Sequence, residues 1–252
     1  MSGLLLRLGA PLQSWGTHST WNERDTELFP TRSGLIGMLA AALGIPRGGD
    51  LSALRSLRLL VRIDRPGHHL VDYHTVGGGR TRKQTVPTAK GDYRQQGMGT
   101  IVTNRHYLAD AVFTVGITGP NLKVLSDVDN ALRSPNWSPF LGRRSCPPDG
   151  PLMLGFVSDP SEWLHEKLPL ARKAPADNET EVRIDFVSDE KPAGHTGWTE
   201  SLTDDPESFE NLKRVYRNRP AYRYRHDLPA ELCAGSGPEY IDALNAALRG
   251  DG

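Results

Sequence analysis

Apolar positions along the chain fall into a few compact blocks separated by polar stretches. Leu4, Leu5, Leu6 and Leu8 form a short run that closes at Gly9-Ala10-Pro11, the pattern of a largely buried strand. From 31 to 43 the spacing turns helical. Leu35, Leu39 and Leu43 recur four apart, Ile36 and Met38 widen the stripe, and Gly44 with Pro46 stops it. Strands are expected at 57–63, 111–117 and 151–157. A short helix opening at Ser126, Asp127 and Asp129 is expected to run through Leu132 and stop at Pro135. A last helix carries Ile241, Leu244 and Leu248 on one face after a Ser236/Glu239 capping box, with Gly250 as its stop. The polar segment 12–30, with Trp15 and Trp21, reads as loop.

The order strand, helix, strand, strand, helix, strand predicts an α+β protein with a ferredoxin-like βαββαβ unit, also the topology of the RNA-recognition motif. Hairpin loops are commonly about 2–5 residues, yet the second and third strands are separated by the long stretch 72–107. It carries Gly77-Gly78-Gly79 and six Lys/Arg against Asp72 and Asp92, which marks an inserted functional element. The expected division is a domain at 1–157 containing that insertion, and a small, irregular, β-containing C-terminal region at 158–252 with an acidic tract and the final helix.

Composition alters this picture through its distribution. The 252 residues hold 30 Lys/Arg and 30 Asp/Glu, so the total charge predicts no partner. Locally the charges segregate: 159–210 has fourteen Asp/Glu and five Lys/Arg, while 210–226 interleaves Lys213, Arg214, Arg217, Arg219, Arg223 and Arg225 with Tyr216, Tyr222 and Tyr224. Cys146 and Cys233 lack metal-ligand spacing and read as ordinary thiols, so no zinc site is expected. Arg7 interrupts the N-terminal apolar run too early for a signal-peptide core or membrane span, which predicts a soluble cytoplasmic protein without a membrane partner. Walker A, dinucleotide, G-x-S-x-G and His-Glu-x-x-His motifs are absent, so a binding role without cofactor or metal is expected rather than catalysis.

Four places could carry chemistry. Arg32 opens the first helix, where a cation fits if it and the free amides converge on an anion; Gly34 and Gly37 would let a phosphate backbone approach. Arg143 and Arg144, beside Trp137 and Phe140 in a Pro-rich loop, suit phosphate forks with base stacking, or simply an exposed turn. Tyr73 and His74 with His106 are residue types that a metal-independent ribonuclease uses, though such residues at a strand end are more often structural. The stripe 216–225 fits stacking on single-stranded RNA and fits equally a strand with Tyr inward and Arg outward.

The blocks Gly9-Ala10-Pro11-Leu12-Gln13-Ser14-Trp15-Gly16, Phe29-Pro30-Thr31-Arg32-Ser33-Gly34, Asp72-Tyr73-His74-Thr75-Val76 and Phe140-Leu141-Gly142-Arg143-Arg144-Ser145-Cys146-Pro147 together resemble one family. It is the CasD family, the guide-RNA handle-binding subunits of the type I-E CRISPR Cascade complex within the RAMP superfamily, and the likeness covers about the first 157 residues. The resemblance implies a thumb-like hairpin at 72–107 and a non-catalytic RNA-binding role in antiviral defence. Implied partners are the five-prime handle of the CRISPR RNA, the backbone and large subunits of Cascade, and target DNA near the guide. Candidate RNA-binding residues are Gln13, Trp15, Arg32, Ser33, Gly34, Tyr73, His74, Arg80, Arg82, Lys83, Arg105, Arg143, Arg144, Ser145 and Cys146. Relatives of another subtype cleave repeat RNA with Tyr, Lys and His, which keeps an endoribonuclease as the first alternative; an RNA-free protein scaffold is the second. The third strand lacks the exposed aromatic pair of an RNA-recognition motif, so RNA is not expected on the sheet face. The resemblance does not account for the acidic tract.

Overall fold

The computed structural model describes residues 1–250 except 19, 21, 86, 89, 96, 98, 177 and 178, so Trp21 lies outside the described residues. Its centre is a seven-stranded sheet in which every neighbouring pair is antiparallel. Four of its strands are the expected ones: β1 (Gly3–Gly9), β4 (Arg58–Arg65), β7 (Val112–Thr118) and β8 (Met153–Val157). They lie in the order β4-β7-β1-β8, with α1 (Arg32–Ala42) between β1 and β4 in the chain and α3 (Leu122–Arg133) between β7 and β8. A one-turn helix α2 (Ser52–Arg55) precedes β4.

Both faces of this sheet are covered. Leu4, Leu6 and Leu8 of β1 pack with Leu35, Ile36, Leu39, Leu125 and Val128 of α1 and α3. Leu5 points the other way, into a cluster with Trp163, Leu164, Tyr240 and Leu244. Those residues come from α4 (Pro160–Glu162) with the π-turn Trp163–Lys167 that follows it, and from α5 (Pro238–Arg249). Burial on both sides explains why β1 reads as a continuous apolar run instead of an alternation. Within the second layer Arg62 is fully buried. It forks onto Asp64 and donates to the carbonyls of Leu164, Leu168 and Pro169, tying the π-turn to β4.

The C-terminal stretch is more regular than its composition suggests. β9 (Glu181–Ser188), β10 (Trp198–Ser208) and β11 (Val215–Pro229) extend the sheet in the order β10-β11-β9-β4, so hydrogen bonding runs unbroken across position 158. The acidic tract and basic stripe thus become neighbouring strands. Two helix starts also differ from expectation. α3 begins one turn earlier, capped by Asn121 and not Ser126, because the Asn121 side chain accepts from the Lys123 amide. α5 is preceded by Gly237; Glu239 reaches back to the amides of Ser236 and Gly237, and the Ser236 hydroxyl makes no cap.

A second, smaller sheet stands off the first. β5 (His68–Val76) and β6 (Ile101–Ala109) pair residue by residue from His68 with Ala109 to Val76 with Ile101, so the hairpin starts before and ends after the expected 72–107. The stretch 12–30 is not all loop: β2 (Leu12–Gln13) and β3 (Glu23–Arg24) both pair with β6.

Candidate nucleic-acid interface

The loop after α3 is built around two buried anchors, Leu141 and Cys146, at 0% and 1% exposure. The Leu141 amide donates to the Cys146 carbonyl and the Cys146 amide to Arg143, which closes a tight loop. Gly142 sits at φ +84°, and a Cβ there would meet the Ser14 carbonyl oxygen at 1.6 Å. Only glycine fits. The consequence is that Arg143, Arg144 and Ser145 are lifted outward. The Arg143 guanidinium lies over the Tyr107 ring at 4.6 Å and donates to the Arg24 carbonyl, whereas that of Arg144 has no partner among the described residues. Cys146, a candidate RNA contact from the sequence, has its side chain in the core, where burial pushes its thiol up.

These arginines border an open groove of about 980 Å³. Helix α1 supplies a smooth surface through Ser33, Gly34, Gly37, Met38 and Ala41; the loop after α3 supplies Trp137, Phe140 and Ser145; the β10–β11 turn supplies Phe209, and the start of β11 supplies Tyr216. Arg47, Arg105, Arg143, Arg144 and Arg214 line it, and no carboxylate does among the described residues. Among the described residues none of the five forms a salt bridge. Five uncompensated guanidiniums with aromatic faces between them are the chemistry of phosphate forks and base stacking.

The structure assigns other expected contact residues to the framework. Arg32 is 5% exposed: its guanidinium bonds Asp205 at 2.9 Å, Asp189, and the carbonyls of Leu57 and Arg55. An anion does sit at the start of α1, as the pattern suggested, but it is the protein's own Asp204, accepting from the Arg32 amide at 2.7 Å. Gln13 is fully buried, its amide donating to Leu8 and Ala111 and accepting from the Trp15 indole. Trp15 is 1% exposed and lies against Gly34, where a Cβ would come within 2.8 Å of its ring, so Gly34 serves the approach of Trp15. Buried residues of these two blocks share a framework role that periodicity does not distinguish from a binding one.

On the hairpin, antiparallel register settles which side chains share a face. His74 lies opposite Thr103 and reaches Asp72 at 3.4 Å. Tyr73 lies opposite Asn104, on the face where His106 meets His69 at 2.9 Å and Glu23 at 3.2 Å. Tyr73, His74 and His106 are therefore divided between two faces. Arg82 pairs with Asp92 at 3.2 Å; Arg80 and Lys83 are exposed and without partners among the described residues. Among the described residues no group of three or more His, Cys, Asp or Glu could hold a metal ion. No helix there is long and apolar enough to cross a membrane.

The stripe 216–225 proves to lie in β11, where its arginines meet the acidic tract. Arg217 pairs with Glu207, Arg219 with Asp204 and Asp189, Arg223 with Glu200, and Arg225 with Asp185 directly across the β9–β11 ladder. Two groove residues escaped the sequence reading: Arg47, just past the α1 stop, and Phe209, inside the acidic tract. Neither has a local signal, since both matter only through what they face.

Comparison with known proteins places the geometry in context. The family model for CRISPR-associated protein (Cas_Cas5) matches residues 3–222. The CRISPR system Cascade subunit CasD of Escherichia coli (strain K12) is 39% identical over 211 residues, covering 77% of this chain and 84% of that protein. A chain in a CRISPR RNA-guided surveillance complex superposes with a TM-score of 0.88 at 44% identity, covering 98% of this chain and 99% of its own. The crystal structure of a Cas protein gives a TM-score of 0.64 at 30% identity over 94% of this chain and 100% of that one.

Proposed function

The chain belongs to the Cas_Cas5 family of CRISPR-associated proteins, and on that premise we propose that it is a non-catalytic, RNA-holding subunit of a type I-E Cascade complex, working in the cytoplasm. The observation that carries the reading is the groove lined, among the described residues, by five arginines that form no salt bridge and by no carboxylate. Its partner is the five-prime handle of the CRISPR RNA. Phosphates are gripped by Arg105, Arg143, Arg144, Arg47 and Arg214, with Ser33 and Ser145 alongside, and unstacked bases lie on Trp137, Phe140, Phe209 and Tyr216.

The order β4-β7-β1-β8 with α1 and α3 supports a ferredoxin-like core, and β9 to β11 widen its sheet beyond the four-stranded unit. The β5–β6 hairpin serves as the thumb. Arg80, Arg82 and Lys83 near its tip approach the guide, and exposed Leu70, Val71 and Tyr73 meet the adjoining backbone subunit. The large subunit and target DNA complete the surroundings, and sequence reading of the target is left to guide pairing.

The test is affinity purification from the host, with the co-purifying RNA end-mapped and the proteins identified. RNAs of uniform length sharing a repeat-derived five-prime end, together with other Cascade subunits, are expected. Protein partners without RNA would favour a scaffold. A defined cut in repeat RNA by the pure protein in chelator, lost in His74→Ala, would establish an endoribonuclease instead.

A further inference from the structure

The groove is only as well formed as the turn that carries Phe209 and Arg214 and the start of β11 that carries Tyr216, and this turn lacks a hydrophobic core of its own. Leu212 at its tip is 97% exposed with φ +65°. Phe209 packs against the core beside α1, its ring 3.6 Å from where a Cβ on Gly37 would sit. Besides the apolar packing of Leu202, Phe209 and Ala221, a set of buried charges ties the surrounding strands to α1. A bulge in β10 places Thr203 and Asp204 against the single residue Asn218, between the Leu202–Arg219 and Asp205–Arg217 pairs. The bulge re-aims successive side chains, so that Asp204 and Asp205 both face α1 instead of alternating.

Asp204 then accepts from the Arg32 amide at 2.7 Å and from Arg219 Nε and Nη2 at 2.6 and 3.0 Å. Asp205 bridges Arg32 and Arg55, both at 2.9 Å, and Asp189 of the β9 end joins Arg219 to Arg32. The Asp204 side chain has no exposed surface and that of Arg219 is 12% exposed. Neither lines the groove.

We propose that Asp204 and Arg219 are positioning residues for nucleic-acid binding: by anchoring β10 and β11 to the N-terminus of α1 they hold Phe209, Arg214 and Tyr216 at the groove. The inference rests on the groove being the RNA site. A helix N-terminus that elsewhere suits a phosphate is here occupied by an internal carboxylate. Phosphate binding is displaced along the helix to arginines without carboxylate partners.

A double-mutant cycle on the full-length chain tests this, using a labelled single-stranded RNA that carries the repeat-derived five-prime segment, titrated over a salt series. Arg214→Ala should weaken binding about threefold and lower the slope of log affinity against log salt by about 0.7. Asp204→Asn keeps an acceptor for the Arg32 amide but loses its charge; it should weaken binding about tenfold, and adding Arg214→Ala should cost less than about a further twofold, because the displaced Arg214 has already lost its contact. Losses that multiply in the double variant, or an Asp204→Asn protein that binds like the parent while Arg214→Ala does not, would overturn the proposal. Parent-like binding by Arg214→Ala would instead remove the groove assignment, and this proposal with it. Should Asp204→Asn not fold, Arg55→Ala removes only the outer arm of the network; about a twofold loss of affinity with faster amide exchange confined to 209–214 is expected. No change in either measurement would overturn the proposal.

Discussion

Arg143 and Arg144 stand beside a groove with no carboxylate among the described residues, whereas Arg217, Arg219, Arg223 and Arg225 each meet an acidic side chain from an adjoining strand. In the sequence both are arginines beside aromatics. In the fold one set keeps an uncompensated charge and the other is neutralised internally. The difference shows why the balanced total of 30 and 30 carries no information about partners: pairing in space decides which cations remain available. It also accounts for the acidic tract, whose Asp185, Asp189, Glu200, Asp204, Asp205 and Glu207 are the counter-charges of the basic strand, Arg32 and Arg55.

The comparison breaks most visibly at Arg219. Arg219→Ala leaves Asp204 buried without its guanidinium, and urea unfolding should show a loss of about 3 kcal/mol, while Arg144→Ala should stay within about 0.5 kcal/mol of the parent. Equal losses would erase the distinction between the two sets.

RNA binding should rank the residues the other way in salt dependence. The Arg143→Ala, Arg144→Ala pair should lower the salt slope by about 1.4, two single-strand phosphate contacts. An Arg217→Ala, Arg225→Ala pair, both exposed and ion-paired, should leave the slope unchanged. A fall in the second pair's slope would mean that RNA competes for the β11 arginines.

The smallest effect is in pH. Burial acts to raise the Asp205 carboxyl, but the hydrogen bonds and charges of Arg32 and Arg55 outweigh it and hold it below its ordinary value. Its contribution is therefore present above the unfolded carboxylate value of about 3.9 and is lost as pH falls through the lower folded value. Unfolding followed below about pH 4 should show Asp205→Asn losing less stability on acidification than the parent, with parallel curves near neutrality. A parent and variant with identical acid profiles would remove Asp205 from the network.

Much of the framework was legible locally. β1, α1, β4, β7 and β8 each carry an apolar period and a stop signal, and they appear within a few residues of the expected bounds. The loop 140–147 was legible as a block because it needs two buried anchors, a positive-φ glycine and two outward arginines at fixed spacing. β2 and β3 were not, since two-residue strands have no period and exist only because β6 offers an edge. The burial of Gln13, Trp15 and Arg32 was not legible, because burial of a polar side chain depends on partners far along the chain: Ala111 for Gln13, and Asp189 and Asp205 for Arg32.

The sequence alone thus determined the local elements, the family resemblance and the presence of the arginine loop, all of which depend on side chains within a few residues of one another. Tertiary structure alone decided which arginines are free. It brought Asp204 to α1 across more than 170 positions and set Phe209 and Arg214 beside Arg143 and Arg144. Charge availability is a property of distances in space, and those arise only when β9 to β11 add to the sheet.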